Sequence, residues 1–229
     1  MKLAIAAALV LLSNGLTASA QETDVPKPMA LVSFQFDRPG LEVPKFTLQV
    51  NEDGSARYEA DQVYPPPRGS DSTESTTRHI DRTLMLTPAT TKRIFAAARE
   101  LNRFTDVCAS NLKNIADTGK KTLSYTGEGG DGSCTYNYSQ DKSVTLLTNI
   151  FQGIAFTLDM GRKLDFQHRF DRLGLDATTA SLASETDAGR AVELGTIAPT
   201  LRSIADDSNI MERVRLRAAK LLQQFPPPA

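Results

Sequence analysis

Few side chains in this sequence are equipped for covalent chemistry. It carries two histidines, His79 and His168, and two cysteines, Cys108 and Cys134. Hydrolysis through a serine or cysteine nucleophile needs a base beside it, and that base is nearly always histidine. Neither histidine is accompanied by a G-x-S-x-G elbow, and no C-x-x-C pair marks a redox centre. Asp165, His168 and Asp171 stand at three-residue spacing in DFQHRFD, so on a helix they would share neighbouring surface and could hold a metal ion. The interleaved Arg162, Lys163, Arg169 and Arg172 would repel that ion and pair the carboxylates instead, which makes this a salt-laced helix face with no metal site. The run GEGGDG at 127–132 lacks the Lys-Ser/Thr of a phosphate loop and the strand–turn–helix context of a dinucleotide fingerprint. It occurs once, unlike arrayed calcium-binding repeats, and a hairpin turn needing positive φ accounts for its glycines without a ligand. No cofactor signature is present. What remains for catalysis is a pair of carboxylates working as general acid and base, and the many Asp and Glu residues cannot be ranked by spacing.

The first twenty residues stand apart from any fold. Lys2 is a positive n-region, the run LAIAAALVLL is a short apolar h-region, and Ala18-Ser19-Ala20 is a cleavage site, so the expected mature chain begins at Gln21, after Ala20. At ~1.5 Å rise per residue this apolar run is too short for a hydrocarbon core of roughly 30 Å. The expectation is an exported chain, periplasmic or secreted, with no transmembrane segment after cleavage. In such a compartment two cysteines favour one disulfide, Cys108 to Cys134. Basic and acidic residues nearly balance, 26 against 27, leaving no electrostatic footprint for nucleic acid. Arg213, Arg217 and Lys220 share one helix face, which could meet an acidic partner, but no aromatic residues interleave them as nucleic-acid binding would require.

Two patterns dominate the remainder. Residues 21–28 read as a flexible leader. Residues 29–160 read as an α+β unit built on strands of period two: Val32, Phe34 and Phe36 face one way, then Phe46, Leu48 and Val50, then Tyr58 with Arg57 and Glu59 opposed. A weaker fourth strand covers 79–86. The segment 63–77, with three consecutive prolines and a Ser/Thr/Asp run, can bury almost no apolar surface and is expected as an exposed loop. Thr87 before Pro88 predicts an N-cap and a first helical position, opening a helix with Ile94, Phe95, Ala97, Ala98 and Leu101 on its apolar side and an end near Phe104. The disulfide would then tie that helix end to a hairpin at 121–139. Cys134, Tyr136 and Tyr138 are expected to face the core. The opposite face, with Ser124, Thr126, Thr135 and Asn137, is rich in hydroxyls and amides and is the place in the hairpin where a ligand could be held.

Residues 161–229 read as helical. Val144, Leu147, Phe151, Ile154 and Leu158 predict an amphipathic helix stopped by Gly161, followed by a second helix with Phe166, Phe170 and Leu173 on one side and ended by Gly174. Asn209 and Glu212 have the spacing of a capping box. The pair APTLRSIADDSNIMERVRLRAAKLLQQ at 198–223 resembles one HEAT-like repeat, two helices around an Asp-rich turn. A solenoid needs about three stacked units, whereas this is one pair, or two if 178–192 contributes; a plain helical hairpin packed on the sheet unit meets the same pattern. The fold class is therefore α+β: an antiparallel sheet with a packed helix and a disulfide-linked hairpin, followed by a helical C-terminal part. By elimination, the expected function is an exported binding or interaction protein without catalytic activity, its partner another envelope or extracellular protein. An exported hydrolase using paired carboxylates is the alternative. An exposed apolar patch would favour the first, and two facing carboxylates of raised pKa in a pocket the second.

Overall fold

A computed structural model describes residues 29–66 and 74–225 of the chain. The signal-like segment with Ala20 and Gln21, the leader at 21–28 and the centre of the 63–77 loop lie outside the described residues.

Four strands come first, β1 (Leu31–Asp37), β2 (Lys45–Asn51), β3 (Ser55–Tyr64) and β4 (Thr76–Met85), followed by helix α1 (Pro88–Glu100). The hairpin strands β5 (Lys120–Thr126) and β6 (Gly132–Tyr136) precede helices α2 (Lys142–Phe170), α3 (Gly174–Asp187), α4 (Ala198–Asp206) and α5 (Glu212–Leu222). The strands form one antiparallel sheet in the order β4-β3-β2-β1-β5-β6, so the meander occupies one side of β1 and the hairpin the other. The period-two pattern sets the register: Phe34 lies opposite Leu48 on one side and Leu123 on the other, and Leu48 opposite Tyr58, all four buried. Helices α1 and α2 cover this apolar face, with the rings of Phe34 and Phe151 stacked at 5.1 Å. Thr87 caps α1 as expected, its hydroxyl accepting from the Thr90 amide at 3.3 Å, with Pro88 at the first helical position.

The disulfide joins Cys108, just beyond the short 3₁₀ turn Asn102–Phe104, to Cys134 in β6, with 5.8 Å between Cα atoms. Gly132 lets this turn approach the hairpin, since a Cβ there would stand 2.0 Å from the Arg103 carbonyl oxygen.

Several sequence-based expectations are corrected. Val63 and Tyr64 pair with Thr77 and Thr76, so the loop between β3 and β4 is shorter than 63–77. Gly161 does not stop a helix: α2 runs unbroken through 29 residues. A mid-helix glycine is about 1 kcal/mol less favourable than alanine. Here it makes room for a neighbour, because a Cβ on Gly161 would stand 2.3 Å from Ile197 Cγ2. Gly174 begins α3 rather than ending its predecessor. The Asn209 side chain bonds Asp207, and α5 starts after Met211 with no side-chain cap, so the capping box is not formed.

One helix thus serves two cores. Val144, Leu147, Phe151, Ile154 and Leu158 of α2 belong to the sheet core, whereas Leu164 joins Leu175, Leu182, Ile197, Leu201, Ile204, Val214, Ala218 and Leu221 in a second, all-helical one. Helices α4 and α5 pack as a pair within it, and Arg213 and Arg217 of α5 reach Asp176 of α3 at 2.8 and 3.1 Å. The cationic face read from the sequence is therefore largely engaged inside the chain. No helix among the described residues is long and apolar enough to cross a membrane.

Candidate functional site

The last two turns of α2 place large apolar side chains in solvent. Leu164 and Gln167 point inward, and His168 is fixed by Asp207 at 2.9 Å, which rotates the opposite side of the helix outward. On that side Phe166 is 59 % exposed and Phe170 73 %, their rings 5.2 Å apart, and Leu173, just past the helix end, is 84 % exposed. Lys163 and Arg172, both exposed, bracket the run, and Arg169 bonds Asp165 at 2.9 Å along the helix. Phe166 and Phe170 share one side, as their spacing suggests, whereas the helix ends before Leu173; all three are exposed among the described residues. His168 serves Asp207 and Asp165 serves Arg169, so the Asp165, His168, Asp171 triplet is not gathered into one cluster.

Of the four polar hairpin residues, Ser124, Thr126 and Thr135 share a face by strand phase, and Asn137 leaves it. Ser124 and Thr135 lie on the outer face of the sheet, part of a polar surface crossing all six strands. One row in register reads Thr135, Thr122, Gln35, Thr47, Glu59 and Asp81. The Thr122 and Thr135 hydroxyls lie 3.0 Å apart, and Arg57 bonds Asp81 at 2.7 and 3.0 Å, so neighbours satisfy much of this face. Thr126 is exposed at the end of β5, opposite Leu31. Asn137 follows β6 and turns to the loop before β5: its amide donates to the Ala116 carbonyl at 2.9 Å and accepts from the Thr118 amide at 2.8 Å. Tyr138, expected in the core, is exposed, because β6 ends at Tyr136 and the chain leaves the sheet. GEGGDG is a turn, with Gly129 and Gly130 at φ of 90° and 108°, and Asp131 accepting from the Gly127 amide.

At the open end of the hairpin, away from this turn, the chain forms a cleft of about 520 Å³ between β6, the loop after β1 and the first half of α2. Phe36, Leu41, Tyr136 and Tyr138 supply its apolar lining; Arg38, Lys121, Asn137, Thr145, Asn149 and Gln152 are among its polar groups. Lys121 is buried although it is a strand residue in phase with Leu123 and Tyr125. Its ammonium donates to the carbonyls of Gly119 and Asn137 at 2.9 Å, to the Thr118 carbonyl at 3.1 Å and to the Thr118 hydroxyl at 3.0 Å. It also lies 5.7 Å from the Phe36 ring centroid and 6.0 Å from that of Tyr136. Burial lowers its pKa, the Asp117 charge partly opposes this, and the Arg38 charge lowers it further. Burial pushes the Tyr136 hydroxyl up to about 12, partly offset by its 2.6 Å bond to Thr148. With every proton of the ammonium engaged, Lys121 is a cationic strut rather than a free nucleophile. The period-two phase of Lys121 flags it in the sequence as a charge on the core face. Arg38 carries no comparable signal.

One carboxylate is perturbed in the direction an acid catalyst needs. Burial raises Asp159, against the lowering effect of its bond to Arg162, and Glu42 adds to the rise. Arg162 also bonds the Gln62 side chain, whose amide donates to Glu42 at 2.5 Å. Asp159 and Glu42 are thus linked through Arg162 and Gln62, and neither lines the cleft. Among the described residues no group of three or more His, Cys, Asp and Glu side chains is placed to hold a metal ion.

The chain matches no protein-family model and no curated protein.

Proposed function

We propose that this chain is an exported binding or interaction protein without catalytic activity, and that the end of α2 is its contact surface for another envelope or extracellular protein. The observation that carries this reading is the exposure of Phe166, Phe170 and Leu173 together. Full burial of such side chains is worth about 1.5–3 kcal/mol each, and association must offset the entropy of docking, so this patch suits a transient contact. Exposed Lys163 and Arg172 at its ends favour a partner whose apolar pocket is edged by carboxylates. Export is supported by the signal-like first twenty residues and is compatible with the disulfide.

The alternative reading, a hydrolase with paired carboxylates, rests on the raised pKa of Asp159 beside Glu42. It is the weaker one, because Arg162 neutralises Asp159 and neither carboxylate opens into the cleft.

A benzophenone-bearing residue at position 173, photoactivated in intact cells, tests the contact. A discrete cross-linked partner is expected, with capture lost in Phe166→Ser/Phe170→Ser and kept in Val107→Ser, an equally exposed apolar control. Equal capture by both variants refutes the surface. A dimer of the chain that dissociates in the double variant would transfer the surface to self-association and overturn the partner.

A further inference from the structure

The cleft beside the hairpin is independent of the α2 terminus, and its chemistry is one-sided. Two cations, Arg38 and Lys121, line it, and no Asp or Glu does. Neither cation has a carboxylate within ion-pairing distance among the described residues. Lys121 is only 4 % exposed and spends its protons on carbonyls and a hydroxyl, so it contributes field rather than contact. Arg38, which lines the cleft, is exposed, its Cβ beside Gly119; among the described residues its guanidinium forms no ion pair, and that fork suits a planar anion. Phe36, Leu41, Tyr136 and Tyr138 offer an apolar wall, and Asn149 and Gln152 of α2 offer amides across from it. The volume falls within the range of about 300–1,000 Å³ that holds small ligands.

We infer that this cleft binds a small organic anion, a carboxylate or phosphate on a flat apolar body, with the charged group on Arg38 and the body against Phe36, Tyr136 and Tyr138. Lys121, its charge partly offset by Asp117 outside the lining, biases the cleft toward negative charge and holds Thr118, which lines it, and Gly119. An uncharged analogue of the same shape forfeits the charge-assisted bond to Arg38.

The test uses the full ¹⁵N-labelled chain, titrated with sodium benzoate at constant ionic strength and, in parallel, with benzyl alcohol. Saturable amide shifts confined to 36–41, 118–121, 136–139 and 145–152 are expected. Benzyl alcohol should bind about ten-fold more weakly or less, and Arg38→Gln should weaken benzoate to a similar degree, as loss of a charge-assisted bond implies. Arg38→Lys should restore part of the affinity. Because Arg38 is exposed, its replacement should leave the remaining spectrum unchanged, whereas Lys121→Met would disturb the loop itself. Equal binding of the two probes, benzoate shifts unaffected by Arg38→Gln, shifts centred elsewhere, or no saturation would each overturn the proposal.

Discussion

Replacing both half-cystines, Cys108→Ala/Cys134→Ala, probes the link between the helical and hairpin parts of the first unit. The bridge closes a loop of 26 positions, which in the chain-entropy account constrains the unfolded chain by roughly 3.5 kcal/mol. Residues 109–119 within that loop hold no helix or strand, and β5 with the start of β6 makes up most of the remainder. Other bonds keep the loop on the hairpin in the folded state: the Ser110 amide to the Tyr138 carbonyl at 2.9 Å, and the Thr118 and Ala116 bonds to Asn137. The folded structure should therefore persist without the bridge, and the loss should appear mainly through the unfolded state. For a chain of this size 1 kcal/mol shifts Tm by about 2–4 °C, so a fall of roughly 7–14 °C is expected. Far-UV circular dichroism against temperature and urea measures it. The urea m-value should rise, because the unlinked chain unfolds to a more expanded state. A Tm within about 2 °C of the parent at unchanged m would refute the reasoning, since a staple of this loop length cannot be removed at so small a cost.

Gly161→Ala should destabilise by about 1 kcal/mol net. The gain in helix propensity is about 1 kcal/mol, and overpacking against Ile197 costs roughly 1–3 kcal/mol. Urea unfolding measures the balance, and a clear stabilisation would show that α2 and Ile197 do not touch there. Asp176 is held below the usual carboxylate range by its bond to Arg217 and by Arg213. Its contribution is therefore present above its unfolded pKa of about 3.8 and lost as pH falls through the lower folded value. Asp176→Asn should be less stable than the parent at pH 7, and the gap should close below pH 3.8; a gap that persists in acid would mean that the ion pair with α5 is not its source.

The strands, their phase and the disulfide were legible because each is a local or pairwise property. Val32, Phe34 and Phe36 alternate with polar residues, and a half-buried sheet forces that alternation. Thr87 with Pro88 likewise carries its own capping chemistry. Gly161 misled for a physical reason: glycine is a helix stop when judged alone, but a contact point when another segment needs the missing Cβ. Asn209 had the spacing of a cap, and Asp207 competed successfully for its side chain.

The same division applies to the candidate sites. From the sequence alone follow the α+β class, the pairing of Cys108 with Cys134 and the common side of Phe166 and Phe170. Periodicity states which residues share a side of an element but not what lies against it. That depended on Leu164, Gln167 and His168 turning toward the second core, which left the phenylalanines in solvent. The cleft needed more still, since Arg38, Lys121 and Gln152 stand far apart along the chain and meet only where β1 and the hairpin close against α2. Local chemistry wrote the elements, and only their packing decided which charges and which apolar sides were left for a ligand or a partner.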